Sequence, residues 1–256
     1  MTTGRKASIF LSSKWVKTQV LLQDPKGKRY VPDTRRFGSA SLKSMLERYH
    51  MVYIKPERGT HGIGVIRAEQ VREGKQRYKY QYNKITRTYE TFDAFVTGLR
   101  GAIGGKSYLI QKGIHLLKYQ GRRFDIRIMV QKSSTGKWET TGIIGRAAAP
   151  GKIVTNYHSG GRPMSIDLLL AAHVHGEKKK ALIQELYRFG VTIAKVYQKK
   201  YPNFRQIGVD VGLDASLTPW IIEVNTSPDP YIFNQLKDKS MYRKVMSFRR
   251  AQRKVT

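Results

Sequence analysis

The sequence has 256 residues and no cysteine, which excludes disulfides and thiolate metal sites. No apolar run approaches the roughly 20 residues of a membrane-spanning helix. The opening segment, MTTGRKASIFLSSKW, has neither a sustained apolar stretch nor a small-residue cleavage site, so no signal peptide and a cytoplasmic location are expected. Internal repeats and low-complexity linkers are also missing. Acidic residues are scarce: 18 Asp and Glu stand against 48 Lys and Arg, a formal net charge of +30. The excess points to a polyanion or an acidic partner, or else to a solubilising surface, since the charges are spread along the chain. They are densest in the last segment, 231–256. There Arg243, Lys244, Arg249, Arg250, Arg253 and Lys254 accompany an apolar stripe of Met241, Val245 and Phe248, the pattern of a basic amphipathic helix or tail.

Hydrophobic residues make up 40 % of the chain and aromatics 11 %, enough for a sizeable core in one large domain or two small lobes. The spacing predicts helices over 39–49, over 91–103 with Thr91 as cap, and over 177–201. It predicts strands over 51–54, 108–111, 124–131 and 137–147. A half-exposed strand pair over 76–88 carries Tyr78, Tyr80, Tyr82 and Ile85. This mixture indicates an α+β fold, with Gly104-Gly105 as a boundary between lobes.

Residues 208–228, GVDVGLDASLTPWIIEVNTSP, set Asp210, Glu223 and Asn225 in strand-like surroundings. Two runs rich in β-branched and aromatic residues flank Gly212, Asp214, Ser216 and Pro219, which predicts two antiparallel strands and a loop. Side chains alternate faces along a strand, so Glu223 and Asn225 point one way and Val224 the other. A hairpin closing near Ser216 sets Asp210 across from Glu223. Two carboxylates and an amide carbonyl on one sheet face suit Mg²⁺, which completes its octahedron with water and phosphate oxygens. The alternative is a polar sheet face whose acids pair with nearby cations.

Residues 52–66, VYIKPERGTHGIGVI, place Lys55 at a strand end, then Gly59, Gly62 and Gly64 before another apolar strand. Glycines let backbone N–H groups approach phosphate oxygens, and the lysine adds a point charge. The spacing is neither a Walker A loop nor a dinucleotide fingerprint, because no GK[ST] follows and no helix opens. A plain glycine-rich hairpin fits equally well.

In order along the chain, these motifs resemble the ATP-grasp superfamily. Lys14 in SSKW, Pro32-Asp33-Thr34, Lys55 with its glycine loop, Gln111 in LIQKGI, Asp125-Ile126-Arg127, Arg146, and Asn156 in TNYHSGG lead to Asp210, Glu223 and Asn225. Their order is similar to that of bacterial glutathione synthetase. The run from LQDPKGKRYVPDT through KPERGTHGIG to EVNTSPDP more closely resembles the spore-coat-associated YheC/YheD-like group. The resemblance implies an ATP-grasp fold over residues 1–230, two α+β lobes clasping ATP. The smaller lobe, about 40–108, would carry the glycine-rich loop, and the larger, about 109–230, the metal site. It further implies that Lys14 and Lys55 hold phosphates, that the loop of Gly59, Gly62 and Gly64 closes over them, and that Gln111, Lys112 and Ile114 form a hinge against the adenine. Asp210, Glu223 and Asn225 would hold one or two Mg²⁺ ions, or Mn²⁺. Arg127 and Arg146 would face the transferred phosphoryl group, with Asn156 near the same metal and phosphate. Structural pairing with Asp125 is the alternative for Arg127.

The implied reaction is carboxylate–amine ligation through an acyl phosphate, with carboxylate and amine substrates that the sequence does not name. It needs no nucleophilic side chain, and His61, His115 and His158 near the motifs are read as polar contacts. Such ligases usually carry an α/β domain ahead of the nucleotide lobes. With 13 residues before Lys14, most of that domain is expected to be missing. Spore association follows from the resemblance alone. The rival is a non-enzymatic basic protein that coats nucleic acid or an anionic spore or cell polymer, with the tyrosines of 78–89 stacking on bases.

Overall fold

A computed structural model describes residues 11–71, 74–75 and 77–254. The expectations for the first ten residues, for position 76, and for the side chains of Arg253 and Lys254 lie outside the described residues. The first part of the chain runs α1 (Lys14–Leu22), α2 (Pro25–Lys28), β1 (Thr34–Arg36), α3 (Ser39–Tyr49), β2 (Met51–Pro56), β3 (Ile66–Gln70), β4 (Tyr78–Tyr82), β5 (Ile85–Tyr89), α4 (Phe92–Ile103) and β6 (Tyr108–Lys112). The second adds β7 (Lys118–Tyr119), β8 (Arg122–Lys132), β9 (Trp138–Ala147), β10 (Arg162–Met164), α5 (Ile166–Leu170), α6 (Gly176–Lys200), β11 (Gln206–Leu213), β12 (Pro219–Asn225) and α7 (Ser240–Lys254). Among the described residues no helix is long and apolar enough to cross a membrane.

The first sheet has the order β1-β6-β2-β3-β4-β5, and its neighbouring strands are antiparallel. Leu42, Met45 and Leu46 recur at helical spacing, so α3 buries one stripe against this sheet. Thr91 caps α4 by accepting from the Ala94 N–H at 3.3 Å, and Phe95, Val96 and Leu99 are buried on its inner face. Alternation along β4 turns Tyr78 and Tyr80 toward that helix. Their rings lie 5.5 and 6.3 Å from Phe95. This corrects the expected base-stacking platform, because those tyrosines belong to the core of the first lobe. β6 returns between β1 and β2, so the expected lobe division at 108/109 falls inside a strand. Gly104-Gly105 sits in the turn between α4 and β6.

The second sheet has the order β10-β9-β8-β11-β12. One face is apolar: Phe124, Ile126, Ile128 and Val130 of β8 and Ile207, Val209 and Val211 of β11 pack with Leu186, Ile193 and Tyr197 of α6. Each such side chain contributes about 1.5–3 kcal/mol by leaving water. α1 joins the same core through Val20 and Leu21. On the opposite face, Met129 and Ile144 meet Ile232, Phe233 and Val245. Helix α7 is therefore docked and not a free basic arm. Its apolar stripe covers its own sheet, and Gln252 Nε2 donates to the carbonyls of Lys132 and Arg205 at 3.1 and 2.8 Å.

Candidate functional site

Beside the patch covered by α7, period-two alternation gathers Asp125 and Arg127 of β8, Arg146 of β9, Asp210 of β11, and Glu223 and Asn225 of β12. Register decides which charges meet. Asp210 stands opposite Arg127 on one side and Glu223 on the other, while Asp125 stands opposite Arg146. Directly opposed residues are about 4.5–5.5 Å apart at Cβ, closer than the roughly 7 Å between alternate residues of one strand. Arg127 accordingly pairs with Asp210, not with Asp125.

The Arg127 guanidinium donates through Nε and NH2 to the two Asp210 oxygens, the second at 3.0 Å. Arg146 holds Asp125 at 2.9 and 2.5 Å and reaches Asp210 Oδ2 at 3.1 Å. Asn225 Nδ2 donates to the same oxygen at 3.2 Å. Burial alone would raise the Asp210 carboxyl pKa, but Arg127 and Arg146 outweigh it and hold it well below the usual carboxylate range. Burial likewise opposes the charge on Arg146, and Asp125 with Asp210 more than reverses that, so its pKa rises.

Glu223 directly opposes the like-charged Asp210, an arrangement that costs energy unless cations share it. Helix α1 supplies them: Lys17 Nζ is 2.8 Å and Lys14 Nζ 3.8 Å from Glu223 Oε1. Ser13 starts this helix by accepting from the Val16 N–H at 3.2 Å, and the i,i+3 spacing puts both lysines on one face. Lys17 is the site residue that sequence reasoning missed. Its signal, KxxK behind an N-capping serine, is meaningful only once 14–22 is known to be helical.

Lys14 Nζ also donates to the Gly59 carbonyl at 2.8 Å, and burial lowers its pKa. Lys55 Nζ donates to Gln111 Oε1 at 2.5 Å, and burial brings its pKa down to about 8 against the pull of Glu223. Gln111 in turn donates to Thr34 Oγ1 at 3.1 Å. The N–H groups of Lys112 and Gly113 are taken up by the carbonyls of Asp33 and Met51, at 2.8 and 2.9 Å. The expected hinge is thus tied to the first sheet, and these two amides are not available to a base edge.

Between the two sheets lies a cleft open to solvent. Its walls include Lys14, Lys55, Gly62, Gln111, Lys112, Ile114, Arg146, Asn156, Asp210 and Glu223, with an apolar part formed by Tyr53, Ile63, Val65, Leu116 and Ile222. Arg127 and Asn225 line an adjoining recess that shares Gly62, Arg146, Asn156, Asp210 and Glu223 with the cleft. Gly59 and Gly64 line neither. Gly64, at φ 80°, packs so tightly that a Cβ would come 2.7 Å from Pro56 Cγ. Gly62, at φ 74°, carries the loop tip across to Val154, which a Cβ would meet at 3.3 Å. Asn156 accepts from the His158 N–H at 2.9 Å and so shapes the facing loop.

The donor set fits a hard divalent cation, since Asp210, Glu223 and Asn225 offer oxygens at one edge of the cleft. Both carboxylates already have cationic partners. Among the described residues no cluster of three or more His, Cys, Asp or Glu forms, so the Asn225 carbonyl is needed as the third donor.

Residues 7–249 match the family model described as YheC/D like ATP-grasp. Endospore coat-associated protein YheD of Bacillus subtilis (strain 168) is 26 % identical over 229 residues, spanning 87 % of this chain and 49 % of that protein. Endospore coat-associated protein YheC of the same strain is 22 % identical over 223 residues, spanning 85 % and 60 %. The chain therefore spans about half to three fifths of the length of the curated relatives it matches. Among solved structures, D-cycloserine synthetase DcsG aligns with a TM-score of 0.56 at 10 % identity, over 94 % of this chain and 70 % of its own. Carboxyaminoimidazole ribonucleotide synthase from Aspergillus clavatus, complexed with ATP, aligns with a TM-score of 0.52 at 10 % identity, over 86 % and 46 %. Matched across nearly its whole length and built as two antiparallel sheets around a charged cleft, the chain belongs to the YheC/D-like ATP-grasp family.

Proposed function

We propose that the chain binds MgATP between its two sheets and uses it to join a carboxylate to an amine through an acyl phosphate. One observation carries this reading: cations from α1, β2, β8 and β9 converge with the carboxylates of β11 and β12 around one cleft and its adjoining recess, beside an apolar slot. The slot of Tyr53, Ile63, Ile114 and Ile222 suits a planar base. Lys14 and Lys55 suit the phosphates, and Arg146, kept charged by Asp125, suits the end of the triphosphate. Glu223, Asn225 and Asp210 would hold Mg²⁺, or Mn²⁺ in its place, whose charge neutralises the β- and γ-phosphates. The chain's own work is to bind, orient and exclude water. A substrate carboxylate oxygen bonds to the γ-phosphorus as the bond to ADP breaks; the amine nitrogen then attacks the acyl carbon and phosphate leaves. A solved structure of similar fold holding ATP supports the nucleotide half at the level of fold.

The coating role loses two of its supports, because the tyrosines face α4 and α7 is docked. YheD and YheC are described as endospore coat-associated, and we extend that association to this chain, whose +30 charge suits an anionic spore layer. Thermal unfolding with and without MgATP tests the nucleotide half. A rise in the wild-type midpoint that Glu223→Ala abolishes is expected, and no rise in the wild type overturns it. Capture of an acyl hydroxamate when hydroxylamine is added with ATP and a carboxylate panel tests the ligase half.

A further inference from the structure

We infer that the recess beyond Asp210, Glu223 and Asn225 binds a cationic amino group of the acceptor, one other than the nitrogen that attacks, with Asp229 as its counter-ion and His158 beside it. This rests on the ligase reading above. The recess is open to solvent and shares Asp210, Glu223 and Asn156 with the nucleotide cleft, so a group held at the trio is reachable from both sides. Its outer wall comes from His158, in the loop between β9 and β10, and from Asp229, after β12. His61 of the glycine loop also lines the recess, its ring 4.2 Å from that of His158.

Charge selects the ligand. Arg127 and Arg146 border the recess, yet Asp210 and Asp125 match them one for one, and Glu223 is shared by Lys17 and Lys14. Asp229 is the acid left over. Its Oδ1 accepts from the Tyr231 N–H at 2.9 Å, and its Oδ2 lies 3.9 Å from His158 Nε2, beyond hydrogen-bond range. Among the described residues, no lysine or arginine pairs with it. In a chain of net charge +30, a carboxylate at a cavity rim without a lysine or arginine partner is the natural seat for a cation brought by a ligand. Its side chain is 39 % exposed, so an ammonium can reach it. The class selected is an acceptor with a second amino group, protonated in water.

The test titrates putrescine and lysine amide calorimetrically into the full chain saturated with Mg²⁺ and the non-hydrolysable analogue AMP-PNP, with 1,4-butanediol as an uncharged control of similar length. Both amines should bind and 1,4-butanediol should not. Asp229→Asn keeps the Oδ1 acceptor for Tyr231 and should weaken amine binding about tenfold, or ~1.4 kcal/mol. His158→Gln should weaken it less, and AMP-PNP affinity should stay constant in both variants. Amines that fail to bind, bind the Asp229→Asn variant as well as the wild type, or are matched by 1,4-butanediol would overturn the subsite while AMP-PNP binding leaves the nucleotide reading standing. Failure of AMP-PNP itself to bind overturns the nucleotide reading, and the subsite with it.

Discussion

Replacing Asp210 by Asn removes one charge from a buried set of four, two guanidiniums balanced by two carboxylates. Arg146 keeps Asp125, but Arg127 loses its bidentate partner while remaining only 7 % exposed. Removing one member of a buried pair costs about 3–5 kcal/mol, because the charge left behind stays desolvated without compensation. Asn preserves the shape and one acceptor oxygen, so a loss near the low end, about 3 kcal/mol, is expected. At about 2–4 °C per kcal/mol for a chain of this size, the thermal midpoint falls by about 6–12 °C. Urea unfolding followed by tryptophan fluorescence, without nucleotide, measures the loss. Acid titration isolates its electrostatic origin. The Asp210 carboxyl is held below the roughly 3.9 of an unfolded aspartate, so its contribution is complete above about pH 4 and disappears as pH falls toward the folded value. Asp210→Asn should therefore lose less stability than the wild type on acidification, and the double change Arg127→Met with Asp210→Leu should recover most of the neutral-pH loss. A variant within ~1 kcal/mol of wild type with an unchanged acid profile would refute the reasoning.

Lys55, with a pKa brought down to about 8, binds phosphate as the ammonium, so MgATP affinity should fall between about pH 7 and pH 9. Fluorescence titration of Lys55→Met should show weaker binding without that dependence. Lys17→Met leaves Glu223 with Lys14 at 3.8 Å and should lower stability by about 1.5–3 kcal/mol in a urea titration. A Cβ on Gly161 would come 1.9 Å from the Thr155 carbonyl oxygen, so Gly161→Ala must displace the Asn156 loop. It should abolish MgATP stabilisation while the far-ultraviolet circular dichroism stays native. Val245→Ala removes two methyl groups from the fully buried α7 contact and should cost about 2 kcal/mol, whereas a free arm would show no change.

The elements readable in advance were those whose signal is local. Helix α3 follows from Leu42, Met45 and Leu46, α4 from its Thr91 cap, and the β11–β12 register from two strand-like runs around a turn. That register set Asp210 against Glu223, and the alternation put Asn225 on the same face. Helix α1 was not readable, since KWVKTQVLL has no acidic first turn and only a short apolar stripe. Missing α1 meant missing Lys17. The glycine loop showed its position but not which glycine matters, because Gly59, Gly62 and Gly64 differ only in what surrounds them.

The sequence by itself determined the elements, the charge, and the face on which the three oxygen donors stand, because helical and strand periodicities depend on nearest neighbours along the chain. Only the tertiary structure decided partnership. Arg146 meets Asp125 across the β8–β9 hairpin, but Arg127 meets Asp210, 83 positions away, because β11 comes to flank β8, a choice made by strands far apart in sequence. The basic helix α7 is bound and not free because a sheet face from β8 and β9 was left for Val245 to cover. Pairing across a sheet and docking onto it lower the free energy only after distant segments meet, and no local pattern records that meeting.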